Sequence, residues 1–107
     1  MIAVRRVWIQ NKTLYISVPP AIIEKLGWKP GDRLDIRRED DKLVYYRSSI
    51  GQIKLRTIAK KYYIVSIPKR YSTIVSKDTL VLLEIVDGKL VVKPLRIPVE
   101  ALEPLKT

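Results

Sequence analysis

The 107-residue sequence contains no Cys, no His and no Phe, and only four Gly. Without Cys the chain has no disulfide framework, no thiolate nucleophile and no Cys-based zinc site. Without His it also lacks the commonest metal ligand and the commonest general base. No apolar run exceeds about five residues, which is too short for a membrane span or for the core of a signal peptide. We therefore expect no enzyme, no catalytic residue, no metal, no cofactor and no membrane contact, and we expect a cytoplasmic protein.

The residues that are abundant favour a folded, sheet-rich and basic chain. Fourteen Ile and 11 Val are typical of strands, and an apolar content of 47% is ordinary for a globular protein. Twenty-one Lys and Arg against 11 Asp and Glu give a net charge of +10. Two motif-like features have simpler explanations: Asp40-Asp41 is typical of an exposed hairpin turn, and the glycines do not have phosphate-loop spacing. The arrangement of charge is therefore the feature of the sequence that indicates function.

The sequence has an internal repeat of about 49 residues. Residues 4–36 align with 53–85 without a gap, so that Leu34 falls on Leu83 and Ile36 on Ile85. After a two-residue deletion the match resumes, with 42–44 falling on 89–91. The predicted organisation is a first module at 1–47, a linker at 48–52, a second module at 53–94 and a tail at 95–107. A module of about 45 residues cannot close a core alone, so we expect the two to pack together.

Each module is predicted to contain strand, strand, short helix, strand and strand. In the first module, alternating apolar residues over 14–18 indicate a half-buried strand, and Pro19-Pro20 begins a short helix. Gly27 predicts the helix stop, and Lys29 to Asp32 predicts a type II turn with Gly31 at its third position. In the second module the helix is weaker and is expected to be a single turn, while Asp87-Gly88 predicts a tight hairpin.

The excess positive charge lies in the first half of each module. Residues 1–31 have five basic residues and one acidic residue, and 50–77 have seven basic residues and no acidic one. Residues 32–47 and 78–107 are close to neutral. A basic face of this kind is typical of proteins that bind duplex DNA, although it is also found on highly soluble proteins. The candidate DNA-binding residues are Arg5, Arg6, Lys12, Lys54, Arg56, Lys60, Lys61, Lys69 and Arg70.

These residues are expected to have different roles. The lysines would contact phosphates, whereas Arg5, Arg6 and Arg56 could form paired hydrogen bonds with guanine. Because successive strand residues face opposite ways, Arg5 and Arg6 cannot both point towards DNA from a regular strand. The neighbouring aromatics at 8, 62 and 63 either stack on bases or pack against the sheet.

The order of elements and the segment 15–32 resemble the AbrB-like, looped-hinge or swapped-hairpin modules. The motifs that carry this resemblance are Val18-Pro19, Leu26-Gly27 and Gly31-Asp32; the second module has only 65–69, VSIPK, in the matching place. The first strand looks closer to archaeal AbrB-like modules. The chain departs from the family at Leu14-Tyr15 and Ile23, where the family often has Gly-Arg and Arg, so those DNA contacts are not transferred.

The resemblance implies a mainly β fold in which two modules interlock by exchanging hairpins, forming a pseudo-dimeric barrel within one chain. It also implies a nucleoid-associated transcriptional regulator that binds double-stranded DNA, or the DNA-binding part of an antitoxin of the MazE or VapB kind. Two alternatives stay open: a module that binds a protein partner through the tail 95–107, and a sequence-neutral architectural protein that binds DNA or RNA. A monomer and a homodimer are both compatible with the sequence.

Overall fold

The computed structural model describes residues 1–95, and the chain is mainly β, as predicted. The predicted tail therefore lies, apart from Leu95, outside the described residues. The first half comprises β1 (Ile2–Arg6), β2 (Trp8–Gln10), β3 (Thr13–Val18), α1 (Pro20–Leu26), β4 (Arg33–Glu39) and β5 (Lys42–Arg47). The second half comprises β6 (Ile53–Lys54), β7 (Arg56–Ile58), β8 (Tyr62–Ile67), a 3-10 turn (Lys69–Tyr71), β9 (Leu80–Val86) and β10 (Lys89–Pro94).

The short helix α1 has the predicted limits. It begins at Pro20, where a missing N–H costs nothing, and it ends before Gly27, whose φ of 71° is left-handed. The Gly27 N–H donates to the Glu24 carbonyl, and the Trp28 N–H donates to the Ile23 carbonyl. These two bonds close the last turn. The type II turn that follows is also confirmed, since Gly31 has a φ of 91° and the Asp32 N–H donates to the Lys29 carbonyl at 3.0 Å.

The corresponding segment in the second half is a single 3-10 turn, as expected from its weaker helix pattern. Pro68 precedes this turn with φ and ψ of −57° and 144°, close to the −56° and 141° of Pro19 before α1. The chain therefore leaves β3 and β8 with the same backbone geometry. It differs afterwards, because Ser72 and Thr73 favour turns over helix.

The strands form two antiparallel sheets. The six-stranded sheet has the order β1-β9-β10-β5-β4-β6, and the four-stranded sheet has the order β2-β3-β8-β7. In the four-stranded sheet, Ile16 at the centre of β3 lies directly opposite Val65 of β8. In the six-stranded sheet, β1 pairs with β9 from the second half, and β6 pairs with β4 from the first half. Each half of the chain thus supplies an edge strand to the hairpin of the other half.

The core lies between the two sheets and under α1. Alternating residues of β3 and β8, with the inward residues of the six-stranded sheet, fill it. Val7 and Leu55 are both almost completely buried where the chain passes from one sheet to the other, at β1–β2 and β6–β7. Within residues 1–95 no polar or charged residue is buried. The core is therefore built from aliphatic side chains together with Trp28 and Tyr45.

The structure places the two-residue gap between the halves at a different position from the sequence alignment. Strand β3 begins at Thr13 and β8 at Tyr62, which is 49 positions later, but β4 begins at Arg33 and β9 at Leu80, which is only 47 later. Two residues are therefore missing from the second half before β9, in the segment that follows the 3-10 turn. The gap-free alignment of 4–36 with 53–85 is wrong in its last part, because sequence identity there does not follow strand position.

Strand position instead places Leu34 with Val81, and both are fully buried on the inner face of the six-stranded sheet. Ile36 likewise corresponds to Leu83, and not to Ile85. Both alignments match apolar residues with apolar residues, because a shift of two residues along a strand returns every side chain to the same face of the sheet. Only strand pairing distinguishes the two.

Candidate nucleic-acid interface

The outer face of the four-stranded sheet is free of acidic residues. None of its strands contains Asp or Glu. Alternation sends Leu14, Ile16 and Val18 into the core, so the other residues of β3, at 13, 15 and 17, are on the outer face and half-buried. The sheet therefore presents mostly small polar and aromatic side chains, with its positive charges around the margin.

An open polar cleft of about 260 Å³ lies on this face, and we call it the central cleft. Lys54 of β6 and Arg56 of β7 border it, and both are exposed. Tyr15, Gln52 and Ser66 supply polar groups to its lining. Two cations beside neutral hydrogen-bonding side chains form a site that can accept an anion and also contact a base edge.

A second cleft, of about 340 Å³, lies at one end of the sheet, and we call it the first end cleft. Arg5 and Lys61 line it, together with Pro19, Tyr62 and Tyr63. Arg5 comes from β1, whereas Lys61 belongs to the loop between β7 and β8. The fold thus brings together two cations, Arg5 and Lys61, that are 56 positions apart in the sequence.

A third cleft, of about 470 Å³, lies at the β2–β3 hairpin and the 3-10 turn, and we call it the second end cleft. Lys12 from the hairpin loop, Lys69 from the 3-10 turn and Lys77 from the following loop supply its charge. Leu14 and Ile67 contribute apolar surface. No acidic residue lines any of the three clefts.

The two hairpin loops of the four-stranded sheet carry lysines in left-handed conformations. Lys12 has a φ of 66° and Lys60 a φ of 57°, each after a residue that is also left-handed. Two consecutive left-handed residues form the tight loop that suits the twist of a hairpin, although they are unfavourable for side chains other than Gly and Asn. The second loop has one additional residue, Lys61, because Tyr62 pairs with Ile58.

The structure brings together most, but not all, of the nine candidate residues. Six of them line the clefts in pairs: Arg5 and Lys61 the first end cleft, Lys54 and Arg56 the central cleft, and Lys12 and Lys69 the second end cleft. Lys60 is exposed in its hairpin loop. The Arg70 guanidinium lies over the Tyr71 ring, 4.8 Å from its centroid. Arg6 is exposed and lines none of these clefts. It alternates with Arg5 along β1, so the two side chains lie on opposite faces of the strand.

Sequence reasoning missed Lys77, Gln52 and Ser66 as cleft residues. Lys77 was detectable, since it belongs to the acid-free segment 50–77. Nothing in the local sequence indicated the other two, because their position depends on how β6 and β8 are placed relative to β3.

The cations of the clefts have no carboxylate partners in the part of the chain that is described. The three ion pairs within residues 1–95 are Arg37–Glu39 at 2.6 Å, Lys93–Glu84 at 2.7 Å and Arg47–Asp32 at 3.6 Å. All three involve β4, β5, β9, β10 or the turn before β4. The ion pairs within residues 1–95 therefore lie away from the three clefts, and the positive charge of the clefts is available to an external anion.

The aromatic residues near these charges have different environments. Trp8 stacks on Tyr15 across β2 and β3, with ring centroids 5.7 Å apart. Tyr63 is half-buried and packs against the core. Tyr62 is 58% exposed, so its ring is accessible to a ligand. Of the sequence-based interpretations, sheet packing applies to Trp8 and Tyr63.

Two other kinds of feature, a cluster of metal ligands and a membrane-spanning helix, are absent from the described residues. No group of three or more Asp and Glu side chains is arranged to hold a metal ion in residues 1–95. Over the same range, no helix is both long enough and apolar enough to cross a bilayer.

The first half of the chain matches a known family. Residues 9–45 match the family model described as "Antidote-toxin recognition MazE, bacterial antitoxin". The matched segment runs from β2 into β5 and includes the β2–β3 hairpin, α1 and the turn at Gly31. This match and the mainly β structure support a fold of the MazE and AbrB type. No match was found among curated proteins or among solved structures.

Proposed function

We propose that the protein is a DNA-binding transcriptional regulator of the AbrB and MazE type, in which two modules within one chain bind duplex DNA together. The observation that carries this proposal is the acid-free outer face of the four-stranded sheet, with three positively charged clefts around it. A duplex carries about one negative charge per 1.7 Å, so a basic surface with few carboxylates favours docking on it.

Several features support two interlocked modules, at 1–47 and 53–94 with a linker at 48–52. The central strands β3 and β8 pair about the Ile16–Val65 position, as two copies related by a two-fold axis would. The strand exchange between β1 and β9, and between β6 and β4, has the pattern of swapped hairpins. Such an arrangement lets one chain form the barrel that related modules build as homodimers.

The proposed DNA contacts follow from the position of each residue. Lys12, Lys60 and Lys61 lie in or beside the hairpin loops, where long flexible ammonium groups suit phosphates. Arg56 belongs to the sheet face itself and is placed to contact base edges, which a β-sheet can do from within a groove. Arg5 and Lys54 flank the face, and Lys69 and Arg70 extend it along the 3-10 turn. Arg6 would contribute only to long-range attraction.

A binding titration at several salt concentrations tests this proposal. The wild-type chain is expected to bind a labelled random duplex of about 30 base pairs in the micromolar range, measured by fluorescence anisotropy, with affinity that falls steeply as salt rises. The double variant Lys54→Gln/Arg56→Gln removes two contacts, so the slope of log K against log salt should become shallower by about 1.8.

The matched control is Lys42→Gln/Lys89→Gln, which removes the same charge from β5 and β10, at positions that line none of the three clefts. It should leave the slope within about 0.5 of the wild-type value, because long-range charge alone releases few condensed counterions. Absence of binding at low salt would overturn DNA binding altogether. Equal losses in the two double variants would overturn the assignment of the contacts to the central cleft. Equal affinity for unrelated duplexes would indicate the architectural alternative.

A second candidate function is that of an antitoxin. The observation that favours it is the description of the matched family, which names toxin recognition. Antitoxins of this family are not enzymes, and a toxin would be a protein partner bound through the tail 95–107, most of which lies outside the described residues. Co-expression with the product of the adjacent gene tests this idea. A stable complex that is lost on removal of 96–107 would support the antitoxin, and a chain that elutes alone would contradict it.

A further inference from the structure

The two end clefts occupy corresponding positions but differ in shape. In the first, the chain after Pro19 continues as the seven-residue α1, and Trp28 then packs into the core. In the second, the chain after Pro68 makes only one 3-10 turn and then a series of turns up to Ser76. The second end cleft is the larger, at about 470 Å³ against about 340 Å³. The cleft is therefore larger at the end where the helix is replaced by a single 3-10 turn.

The chemistry of the second end cleft differs from that of a simple phosphate contact. Its apolar floor is formed by Ile9, Leu14 and Ile67. Ile9 is 43% exposed, and it pairs with Leu14, so it lies on the same side of the sheet as the rest of the floor. Around this floor stand three lysines, at 12, 69 and 77, and two exposed serines, at 72 and 76. A cavity of a few hundred Å³ with an apolar lining and a few convergent polar groups is typical of small-molecule sites.

We propose that the second end cleft binds a small organic phosphate with an apolar body, in a role beyond DNA binding. The three lysines match a phosphate dianion, the serine hydroxyls can donate to its oxygens, and the apolar floor would cover a ring or short chain. A DNA phosphate would use the lysines but leave the exposed apolar surface of the cleft, most of all that of Ile9, in contact with water. The apolar floor is therefore the feature that distinguishes the two ligands.

This site overlaps the proposed DNA-binding surface. Lys12 and Lys69 belong to both, whereas Lys77 belongs to the cleft alone. A phosphate ligand in the cleft would neutralise two of the DNA contacts. It would therefore act as an effector that releases DNA.

The direct test uses 2-naphthyl phosphate with the full-length chain and no DNA. Calorimetry should show one site per chain, and the methyl resonances of Ile9 and Ile67 should shift. The binding should be about tenfold or more tighter than that of either inorganic phosphate or 2-naphthol, because each of these has only half of the recognised chemistry. Lys77→Gln should weaken it by about tenfold, and the control Lys61→Gln, in the first end cleft, should leave it unchanged.

Each other outcome would overturn the proposal. Equal binding of inorganic phosphate would show an anion site without apolar recognition, and equal binding of 2-naphthol with no effect of Lys77→Gln would show unspecific apolar contact. Failure to bind, or shifts confined to other methyl groups, would remove the site. Because this measurement contains no DNA, its failure is distinct from failure of the proposed function.

A competition experiment tests the effector role. Adding 2-naphthyl phosphate should raise the apparent Kd of the wild type for the duplex. The rise should follow the occupancy of the cleft that calorimetry gives at the same ligand concentration. The variant Lys77→Gln, compared with its own Kd for the duplex without ligand, should respond only at about tenfold higher ligand. An unchanged Kd in the wild type at saturating ligand would overturn the effector role.

Discussion

The hydroxyl of Tyr45 connects the two sheets, and its removal gives a sharp test of the packing. Tyr45 lies on the inner face of β5 and is fully buried. Its hydroxyl donates to the main-chain carbonyl of Ser66 on β8 at 2.8 Å. This is a side-chain hydrogen bond from one sheet to the other. Tyr45→Phe should therefore destabilise the fold without changing its shape.

The expected loss follows from the cost of one buried hydrogen bond. Removing the donor forfeits about 1 kcal/mol of net bond energy and leaves the Ser66 carbonyl less well satisfied, so the free energy of unfolding should fall by about 1.5 kcal/mol. With a urea m-value of about 1.5 kcal/mol/M, the midpoint should fall by about 1 M. Tyr46→Phe is the matched control. Its ring is half-buried, with the Arg37 guanidinium 5.5 Å from the centroid, so losing the hydroxyl should cost less than about 0.5 kcal/mol.

The same residue makes stability depend on alkaline pH. Burial, with a smaller contribution from the charge of Tyr71, raises the pKa of Tyr45 far above its ordinary value of 10.0. Above pH 10 the unfolded chain releases this proton and the folded chain does not. Stability due to Tyr45 is thus complete below pH 10 and decreases by about 1.4 kcal/mol for each pH unit above it.

Urea unfolding of both proteins at pH 8 and pH 11 measures this effect. At pH 8 wild type should exceed Tyr45→Phe by about 1.5 kcal/mol, and at pH 11 the difference should nearly vanish, because other titrating groups cancel between the two proteins. A difference that stays constant from pH 8 to pH 11 would show that the phenol is accessible to ionisation in the fold. An equal loss in Tyr46→Phe would contradict the assignment of the bond.

Further predictions concern the linker, the helix stop and the sheet centre. A Cβ added at Gly51 would collide with the Leu34 main-chain carbonyl, so Gly51→Ala should lower the free energy of unfolding by about 2–3 kcal/mol in urea titrations. Gly27→Ala has open space but a φ of 71°, and should cost only about 1 kcal/mol; a larger loss there than at Gly51 would refute the clash. Ile16→Ala should lower stability by about 2–5 kcal/mol, whereas Ile9→Ala, 43% exposed, should lower it by under about 1 kcal/mol; equal losses would mean that Ile16 is not in the core.

The candidate site could be predicted in composition but not in arrangement. Counting charge along the sequence identified the two basic segments, and six of the nine residues named from them line one of the three clefts. Charge counting could not separate Arg5 from Arg6 in their targets, nor indicate that Lys69 and Lys77 enclose an apolar floor. Those distinctions depend on which strand lies beside β1 and on how far the helix extends after Pro68.

The sequence by itself determined the local elements. Pro20 and Gly27 define α1, Gly31 defines the turn, and the period-two pattern predicts β3, because each of these depends on the φ and ψ preferences of a few adjacent residues. Only the tertiary structure decided the strand partners. Two apolar strands present the same alternating pattern to any neighbour, so local preference cannot choose between them. The pairing of β1 with β9 and the position of the gap before β9 depend on how the inner faces of the two sheets pack together to form one core.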